Sequence, residues 1–382
     1  MQSFPANKGT GFKLGKRTEL DGIRGLSVLA VIAWHAEFPF VKAGNIGVDV
    51  FFVMSGFLIS TLLFEEWERE REIDLKAFYV RRGLRLFPVL FVVAGLYALY
   101  AAVFETGAEA ANSFKYIAAT IFYVANWAQV AGVHHSVLGH TWSLGIEEQF
   151  YLLYPLVLLL LLRLGIKYKG LLFIFGIAVS AVIINRYLIS DGAHSVARIR
   201  MSLDTRSDAL IFGCIVSVIA VNGLLPQRWL AIIALRLLAG LSAMLLCFLV
   251  VHGVENDLYY KNSLISLAAV CVALIIADLM GRPFRFVQIL LQNRALAWTG
   301  RISYGLYLWH IPVFFVIGQN RSWSGIQTQS IRISSVFAVA ALSYYFIEKP
   351  FLKLKDKFTH LPKNTAVDDF VVIGKARTTP VA

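Results

Sequence analysis

Long apolar runs separated by short charged segments dominate the chain. The first two are Ile23 to Phe40 and Val48 to Phe64, and a third covers about 87–104. Each approaches the length of about 20 residues that a helix needs to cross a bilayer core. The other long runs lie at about 149–164, 170–190, 208–222, 229–252, 263–280, 302–319 and 331–347. This pattern predicts an all-α, polytopic integral membrane protein with about ten transmembrane helices.

One further apolar segment, 116–130, contains Asn126 and Gln129 and is harder to interpret. As an eleventh span it would place the cations between 163 and 169 outside the cell, against the tendency of Lys and Arg to stay in the cytoplasm. As a re-entrant or interfacial segment it leaves those cations inside. Irregular backbone at membrane depth is tolerated where protein or a water-filled cavity covers it. We therefore favour a re-entrant or interfacial segment.

Composition supports a membrane protein and places its charges. The chain is 58% hydrophobic and only 16% charged, with a net charge of +12. Because Lys and Arg mark cytoplasmic loops in membrane proteins, we expect no nucleic-acid partner and two cytoplasmic termini. We expect a cytoplasmic leader over 1–19, a transmembrane domain over 20–351, and a cytoplasmic, disordered tail over 352–382. The first span lacks a small-residue cleavage pattern and is expected to be a retained anchor.

Two ionisable residues in the first apolar run are the leading candidates for chemistry. Arg24 lies at its start and His35 follows eleven residues later. On a helix they fall within about 20° of one face and about 16 Å apart along the axis. Ionisable residues in a membrane span need a partner or a function. An imidazole titrates near neutrality and can act as a general base. Asp49, in the next run, either orients this imidazole or serves as a helix cap or dipole partner.

A cytoplasmic cluster of arginines is the candidate site for an anionic donor. Arg81, Arg82 and Arg85 can share one side of a helix. Guanidinium groups suit phosphate oxygens, so the cluster binds either a phosphorylated donor or anionic lipid. Ser55, followed by Gly56, either lets a ligand approach the backbone or belongs to close helix packing.

A second polar segment, His140 to Gln149, is expected on the outer side of the membrane, where an acceptor would arrive. Trp142 either stacks on a sugar ring or anchors at the interface. Of Glu147 and Glu148, one is expected to face the interior and the other to cap the span that follows. His134 and His135 are expected in a solvated loop.

Three other features lie outside these segments. Arg206 is expected to pair with a carboxylate elsewhere in the chain, and His310 to have a packing, hydrogen-bonding or motif role. The three cysteines, all in apolar runs, have no metal-ligand spacing, so neither a zinc site nor a disulfide framework is expected.

These segments together resemble one family. The Arg-x10-His spacing, the runs GVDVFFVMSGFLIS, FYVRRGLRLFP, TWSLGIEEQFYLLYP and ISYGLYLWH, and the closing IEKPF are similar to the membrane acyltransferase 3 family. That family includes bacterial O-antigen and exopolysaccharide O-acetyltransferases, and the resemblance covers Leu20 to Phe351. Some members carry a C-terminal esterase-like domain, which we do not expect here.

The resemblance implies a function and a set of site residues. It implies an O-acetyltransferase of the bacterial inner membrane that moves an acyl group from acetyl-CoA to a hydroxyl of a cell-surface polysaccharide or lipid-linked glycan. His35 would be the general base or the acyl carrier, with Arg24 as its companion. The expected sets are catalytic His35, Arg24, Asp49 and Glu147; donor-binding Arg81, Arg82, Arg85 and Ser55; acceptor-binding Trp142, His140 and Glu148; and no metal.

Two kinds of alternative stay open. A transporter or flippase of a glycolipid or small anion would also bury a His and carboxylates along a pathway, and a scaffold could pass glycolipid to partners. The acceptor of an enzyme could instead be a macrolide, a lipo-oligosaccharide or peptidoglycan.

Overall fold

The computed structural model of the chain describes residues 12–15, 17–133, 137–190, 192, 195–253, 259–260, 264–318 and 325–355. Most of the predicted leader, the tail beyond 355 and the predicted loop residues His134 and His135 lie outside these ranges. Within them the structure contains helices and no strand. The helices are α1 (Thr18–His35), α2 (Ile46–Glu70), α3 (Leu75–Phe104), α4 (Gly107–Ile121), α5 (Ala125–Val130), α6 (Trp142–Arg163), α7 (Tyr168–Ile189), α8 (Ser195–Met201), α9 (Leu203–Val221), α10 (Trp229–His252), α11 (Leu264–Met280), α12 (Arg285–Leu291), α13 (Arg294–Arg301), α14 (Ser303–Gly318), α15 (Gly325–Ser343) and α16 (Lys349–Lys355).

The all-α polytopic class is confirmed, but the number of clear spans is smaller than predicted. Among the described residues six helices are long and apolar enough to cross a membrane, or seven if α11 and α12, bent by 107°, form one broken span. The other predicted spans are too short or too charged. Helix α14 has 16 residues, α1 carries Glu19, Asp21 and Arg24, and α9 also contains three charged residues. These helices pack against other helices of the protein and do not need a fully apolar surface facing lipid.

The segment predicted to be re-entrant or interfacial is broken into two helices. Helices α4 and α5 are separated by a turn at 122–124, where Tyr123 has a left-handed φ of 54°. A non-glycine residue rarely adopts this conformation, which reverses the chain direction locally. The segment is therefore not one straight span.

Helix α1 ends earlier than the apolar run predicted. The run continues to Phe40, but the helix stops at His35, and Glu37 adopts a left-handed φ of 57°. Pro39 follows, and a residue before proline is disfavoured in the helical conformation. His35 therefore lies at the C-terminal end of α1 rather than deep within a span.

Close contacts between helix backbones form the centre of the molecule. Helix α2 packs along α9, where a Cβ on Gly56 would clash with the carbonyl oxygen of Leu210 and one on Gly213 with that of Val53. Helix α1 packs along α13 through Gly25 and Gly300 in the same way. These glycines let backbones approach directly, as is common between membrane helices. Of the two readings of Gly56, helix packing is the one that the structure supports.

Peripheral helices present apolar side chains outward. In α10, Leu237 and Leu241 are 63% and 58% exposed, and in α7 Ile184 is 57% exposed. Such exposure over several helices is expected where lipid covers the surface. The chain is a multi-pass membrane protein whose buried polar residues lie among the central helices.

Candidate active site

Helix α1 connects two separate cavities. Arg24 lines the first cavity, which has a volume of about 160 Å³, and His35 lines the second, of about 230 Å³. The two residues predicted to work together therefore belong to one helix but face different spaces. Both spaces lie among the central helices.

Arg24 is fixed at the first cavity by α14. Its guanidinium donates to Ser303 Oγ, at 3.0 Å from Nη2 and 3.3 Å from Nε, and lies 5.8 Å from the ring of Phe51. Ser303 contributes no negative charge, and the carboxylates of Glu147 and Glu348 act on Arg24 electrostatically without forming a described ion pair with it. Arg24 therefore presents a positioned cation to this cavity.

The three predicted donor-site arginines do not form one cluster. Arg82 and Arg85 line the first cavity, whereas Arg81 does not and lies 3.6 Å from the carboxylate of Glu66. The helical spacing brought Arg82 and Arg85 to one face, but Arg81 points to the end of α2. The predicted group of three arginines is therefore divided, with Arg82 and Arg85 at one cavity and Arg81 apart from it.

Arg82 is already neutralised by Glu148. Its Nε donates to Glu148 Oε2 at 2.8 Å, its Nη2 also bonds to Glu148, and its guanidinium lies over the ring of Tyr151. Glu148 was predicted to bind an acceptor or cap a helix, and the structure places it in an ion pair with Arg82 at the first cavity. Helix α6 begins at Trp142 with Thr141 as its N-cap, so neither Glu147 nor Glu148 caps it.

Arg85 differs from Arg82 although it is one turn away. It lines the same cavity and is half buried, and within the described part of the chain it forms no ion pair. Glu348, on the π-helical turn Tyr344–Glu348, acts on it electrostatically from a greater distance. Arg24 and Arg85 are thus the cations of this cavity best placed to receive an anion.

The first cavity also contains neutral hydrogen-bonding groups. Ser55 donates to Glu147 at 3.2 Å, and both line the cavity. Tyr123 lines it from the turn between α4 and α5, and burial raises the pKa of its hydroxyl above the usual value. Predicted catalytic Glu147 is therefore on the side of Arg24, not beside His35.

In the second cavity, His35 has a defined tautomer. Its Nδ1 lies 2.9 Å from the carbonyl oxygen of Val31 in the preceding turn. A carbonyl oxygen can only accept, so Nδ1 carries the proton and, in the neutral ring, Nε2 keeps its lone pair. Such a nitrogen can accept a proton from a hydroxyl or attack a carbonyl carbon.

Two further imidazoles lie next to His35. The His310 ring is 4.9 Å from the His35 ring and 4.9 Å from the His140 ring, measured between centroids. His310 is fully buried, and its Nδ1 donates to the carbonyl oxygen of Tyr307 at 2.6 Å. Among the described residues no three His, Cys, Asp or Glu side chains are arranged to hold a metal ion. The structure thus brings predicted acceptor residue His140 to His35 and adds His310.

Asp49 does not orient His35. Its two carboxylate oxygens are taken by Arg206 at 2.6 Å and by the hydroxyl of Tyr259 at 2.8 Å. Arg206 comes from α9, 157 residues later, and pairs with a carboxylate as predicted. Asp49 lies in the first turn of α2, so the alternative of a dipole partner fits, whereas the catalytic role predicted for it does not.

Trp142 is buried at the wall of the second cavity. Its ring meets Phe52 edge-on at 6.4 Å, and the guanidinium of Arg200 lies 5.5 Å from its centre. With 6% of its surface exposed, Trp142 is not an interface anchor. Whether a sugar reaches it stays a prediction.

The two cavities meet at shared residues. Val48 and Tyr307 line both of them. The Tyr307 hydroxyl donates to the carbonyl oxygen of His140 at 2.8 Å and lies 2.6 Å from Ser143 Oγ. A substrate held by cations in the first cavity would pass these residues to reach His35. The arrangement places a space lined by Arg24 and Arg85 next to a space lined by His35, with Val48 and Tyr307 in the wall between them.

Sequence reasoning missed several lining residues. Ser303 and Tyr307 are in the motif that contains His310, where their helical spacing could have revealed them. Arg200 lies in the short helix α8 and carries no periodic signal. Glu348 lies in the closing IEKPF motif, and its side chain is buried against Gly305.

Comparisons with known proteins show which family the chain is similar to. The profile of a family described as "Acyltransferase domain" matches residues 17–348. The chain is 31% identical over 389 residues to the peptidoglycan O-acetyltransferase OatA of Listeria monocytogenes, a match covering 93% of this chain and 60% of the relative. It is also 31% identical over 370 residues to the O-acetyltransferase OatA of Staphylococcus aureus, covering 90% of this chain and 58% of the relative.

These matches have two limits. The chain spans about 60% of the length of the curated relatives it matches. No solved structure matches the chain.

Proposed function

The chain belongs to the acyltransferase family, and on this premise we propose that it is a membrane-bound O-acetyltransferase. It moves an acetyl group from acetyl-CoA to a hydroxyl group of a cell-envelope glycan. The observation that carries the proposal is the single helix α1, which presents Arg24 to one cavity and His35 to the next, with Val48 and Tyr307 lining both.

The donor binds in the first cavity. Coenzyme A carries several phosphates, and guanidinium groups recognise phosphate oxygens well. Arg24 and Arg85 have no carboxylate bonded to them in the described part of the chain, so they are the proposed phosphate or pyrophosphate contacts. Arg82 holds the wall of the cavity through Glu148. The acyl end of the donor extends past Tyr307 towards His35.

His35 removes the proton from the acceptor hydroxyl. Its Nε2 keeps a lone pair because Nδ1 donates to Val31, and general-base catalysis of this kind contributes about 10²–10⁴-fold. The same nitrogen could instead carry the acetyl group as an acyl-imidazole before transfer. Trapping radiolabelled acetate on the protein, with His35→Ala as the control, separates these two roles.

Peptidoglycan is the first acceptor to test. The relative from Listeria monocytogenes is named for O-acetylation of peptidoglycan, which makes a peptidoglycan sugar hydroxyl a specific candidate. A lipid-linked glycan or exopolysaccharide is the other candidate from the same chemical class. The acceptor enters the second cavity, where His140 and Trp142 lie beside His35.

The proposed location is the bacterial inner membrane with both termini in the cytoplasm. Cytoplasmic acetyl-CoA would then reach the cavity of Arg24, and the cavity of His35 would face the envelope. Reporter fusions after residues 12 and 355 should both report a cytoplasmic position; a periplasmic signal from either fusion contradicts this topology.

The deciding experiment measures release of free thiol from acetyl-CoA by the purified protein in detergent. We expect turnover in the wild type and a loss of at least about 100-fold in His35→Ala. A transporter in detergent has no gradient to work against and would release no thiol. Unchanged turnover in His35→Ala would remove His35 from the mechanism.

A matched control exists on α10. His252 also ends a helix, and its Nδ1 also lies near the carbonyl oxygen four residues earlier, at 3.1 Å from Phe248. It is exposed and lines neither of the two cavities. His252→Ala should therefore keep wild-type turnover, which shows that the loss in His35→Ala reflects its place and not the loss of any imidazole.

A further inference from the structure

Two arginines on the short helix α8 differ in their surroundings. Arg198 forms a double ion pair with Asp204, with both N–O distances 2.7 Å, and lies over Trp127. Arg200, two residues later, is directed to the cavity of His35. Its guanidinium lies 5.5 Å from the ring of Trp142 and 6.0 Å from that of Tyr260.

Arg200 has no anionic partner in the part of the chain that the structure describes. The carboxylates of this region already form ion pairs with other cations. Asp49 is paired with Arg206, and Asp204 is paired with Arg198. The Nε–H of Arg200 is buried and donates to no acceptor in the part of the chain that the structure describes. A half-buried cation without a counter-ion is costly, so it is retained where a negative charge appears at some stage.

The second cavity supplies the place for that charge. Arg200, His35, Asn45 and His140 line it together, and none of its lining residues is acidic. The cations of the donor cavity, Arg24 and Arg85, do not line it. Arg200 is therefore the one fixed positive charge among the lining residues of the space that contains the imidazole.

We propose that Arg200 is a catalytic residue that donates hydrogen bonds to the oxyanion formed during acetyl transfer. This inference rests on the proposed O-acetyltransferase function. Positioned donors aimed at a developing oxyanion are often the largest single contribution to catalysis, and removing one costs about 10²–10³-fold in turnover. The aromatic rings of Trp142 and Tyr260 flank the guanidinium of Arg200.

The acetyl transfer proceeds through a tetrahedral intermediate. The acceptor oxygen bonds to the thioester carbonyl carbon while its proton passes to Nε2 of His35. The carbonyl π electrons move to the carbonyl oxygen, which becomes the oxyanion held by Arg200. Collapse of this intermediate breaks the C–S bond, and the thiolate of coenzyme A takes the proton from the His35 imidazolium. The products are the O-acetyl ester and free coenzyme A.

Acetyl-CoA hydrolysis, with water as the acceptor, tests this role. We expect Arg200→Gln to lower kcat for thiol release by about 100-fold, with KM for acetyl-CoA within about twofold of wild type. Arg198→Gln is the matched control on the same helix and should keep wild-type kcat. Guanidinium ion added to Arg200→Ala should restore part of the turnover, whereas it should not rescue His35→Ala.

The outcomes distinguish the inference from the function on which it rests. If Arg200→Gln hydrolyses acetyl-CoA at the wild-type rate, or only raises KM for acetyl-CoA, Arg200 is not an oxyanion donor and the inference is overturned. An Arg200 that only bound a glycan would leave hydrolysis by water intact, which also overturns it. A wild-type protein that neither releases thiol from acetyl-CoA nor adds base-labile acetate to the cell-wall glycan would instead contradict the proposed function.

Two checks keep the result interpretable. The melting temperature of Arg200→Gln in detergent should match that of Arg198→Gln, since neither change removes a buried ion pair that holds the helices. If water proves too poor an acceptor to measure, the same variants are compared by base-labile acetate on the cell-wall glycan of expressing cells. There, ester content at the wild-type level in Arg200→Gln would overturn the inference.

Discussion

Arg82 and Arg85 lie one turn apart on α3 and line the same cavity, but their charges are used differently. Arg82 forms an ion pair with Glu148 and lies over Tyr151, whereas Arg85 has no ion pair in the described part of the chain. Charge available for a ligand is therefore concentrated on Arg85 and Arg24. This difference gives a direct test at the scale of single residues.

Replacing Arg85 with glutamine should weaken donor binding without weakening the fold. Hydrogen bonds to charged groups contribute about 1.5–3 kcal/mol, so KM for acetyl-CoA should rise about tenfold or more. The melting temperature should change little because no described ion pair is lost. Steady-state kinetics and thermal unfolding in detergent measure both quantities.

Arg82→Gln is the contrasting variant. It leaves the carboxylate of Glu148 without its partner, which should cost about 1–3 kcal/mol of stability. We therefore expect a lower melting temperature for Arg82→Gln than for Arg85→Gln. Equal stability of the two variants would show that the pairing with Glu148 does not hold these helices.

Single residues were predictable where their function depends on local spacing. Arg24 and His35 share one helix, and the period of the helix brought both to internal cavities. The ion-pair partners of Asp49 and Glu148 were not predictable, because Arg206 and Arg82 lie 157 and 66 residues away. A sequence pattern does not show which of several cations a carboxylate will meet after folding.

Between elements, glycine contacts decide which helices can approach. Gly56 of α2 lies against the backbone of α9, and Gly95 of α3 has nothing near the position of a Cβ. The two positions are both helical glycines, so they form a matched pair. Their different surroundings lead to opposite expectations.

Gly56→Ala should destabilise the protein and Gly95→Ala should not. A Cβ on Gly56 meets the carbonyl of Leu210, and overpacking of this kind costs about 1–3 kcal/mol. In Gly95→Ala the higher helix propensity of alanine should be neutral or stabilising by up to about 1 kcal/mol. Thermal unfolding of both variants in detergent checks this. A lower melting temperature for Gly95→Ala than for Gly56→Ala would contradict the packing of α2 on α9.

The existence of most helices followed from the apolar runs, but several ends did not. Helix α1 stops at His35 because Glu37 and Pro39 reverse the chain, and α6 starts at Trp142, before the predicted start near 149. Polar residues at the start of α6 hid its first two turns, since they are buried against other helices rather than exposed. Helices such as α9, which contain charged residues and are covered by other helices, do not have the composition of a lipid-facing membrane span.

Across the whole molecule, the two cavities depend on each other through their common wall. Val48 is buried and lines both, next to Tyr307. A larger side chain at position 48 would occupy the space where the proposed path of the acyl group crosses this wall, while leaving the arginines of the first cavity in place. The proposed function requires both the binding of the donor and the movement of its acyl end.

Val48→Phe should therefore separate binding from turnover. We expect acetyl-CoA still to raise the melting temperature of the variant, as it should for the wild type, while thiol release falls about tenfold or more. Val103→Phe is the control, since Val103 is 63% exposed on α3 and remote from the wall. Wild-type turnover in Val48→Phe would mean that the donor does not pass this wall.

At this scale the sequence predicted the class and family but not the relation of the sites. The polar segment 140–149 was expected across the membrane from the arginines. Instead Glu147 and Glu148 share a cavity with Arg82, and His140 and Trp142 share the other with His35. One segment contributes to both cavities because α6 begins at the wall between them. Only the folded arrangement of helices far apart in sequence determines this.

Because α1 is an unbroken helix from Thr18 to His35, it fixes the distance and the angle between Arg24 at the first cavity and His35 at the second. Inserting or deleting one residue after Arg24 would swing His35 by about 100° and shift it by about 1.5 Å. Natural variation should therefore preserve the length of this segment more strictly than the identity of the residues within it. An indel there would disable the protein even though every side chain of both sites remained.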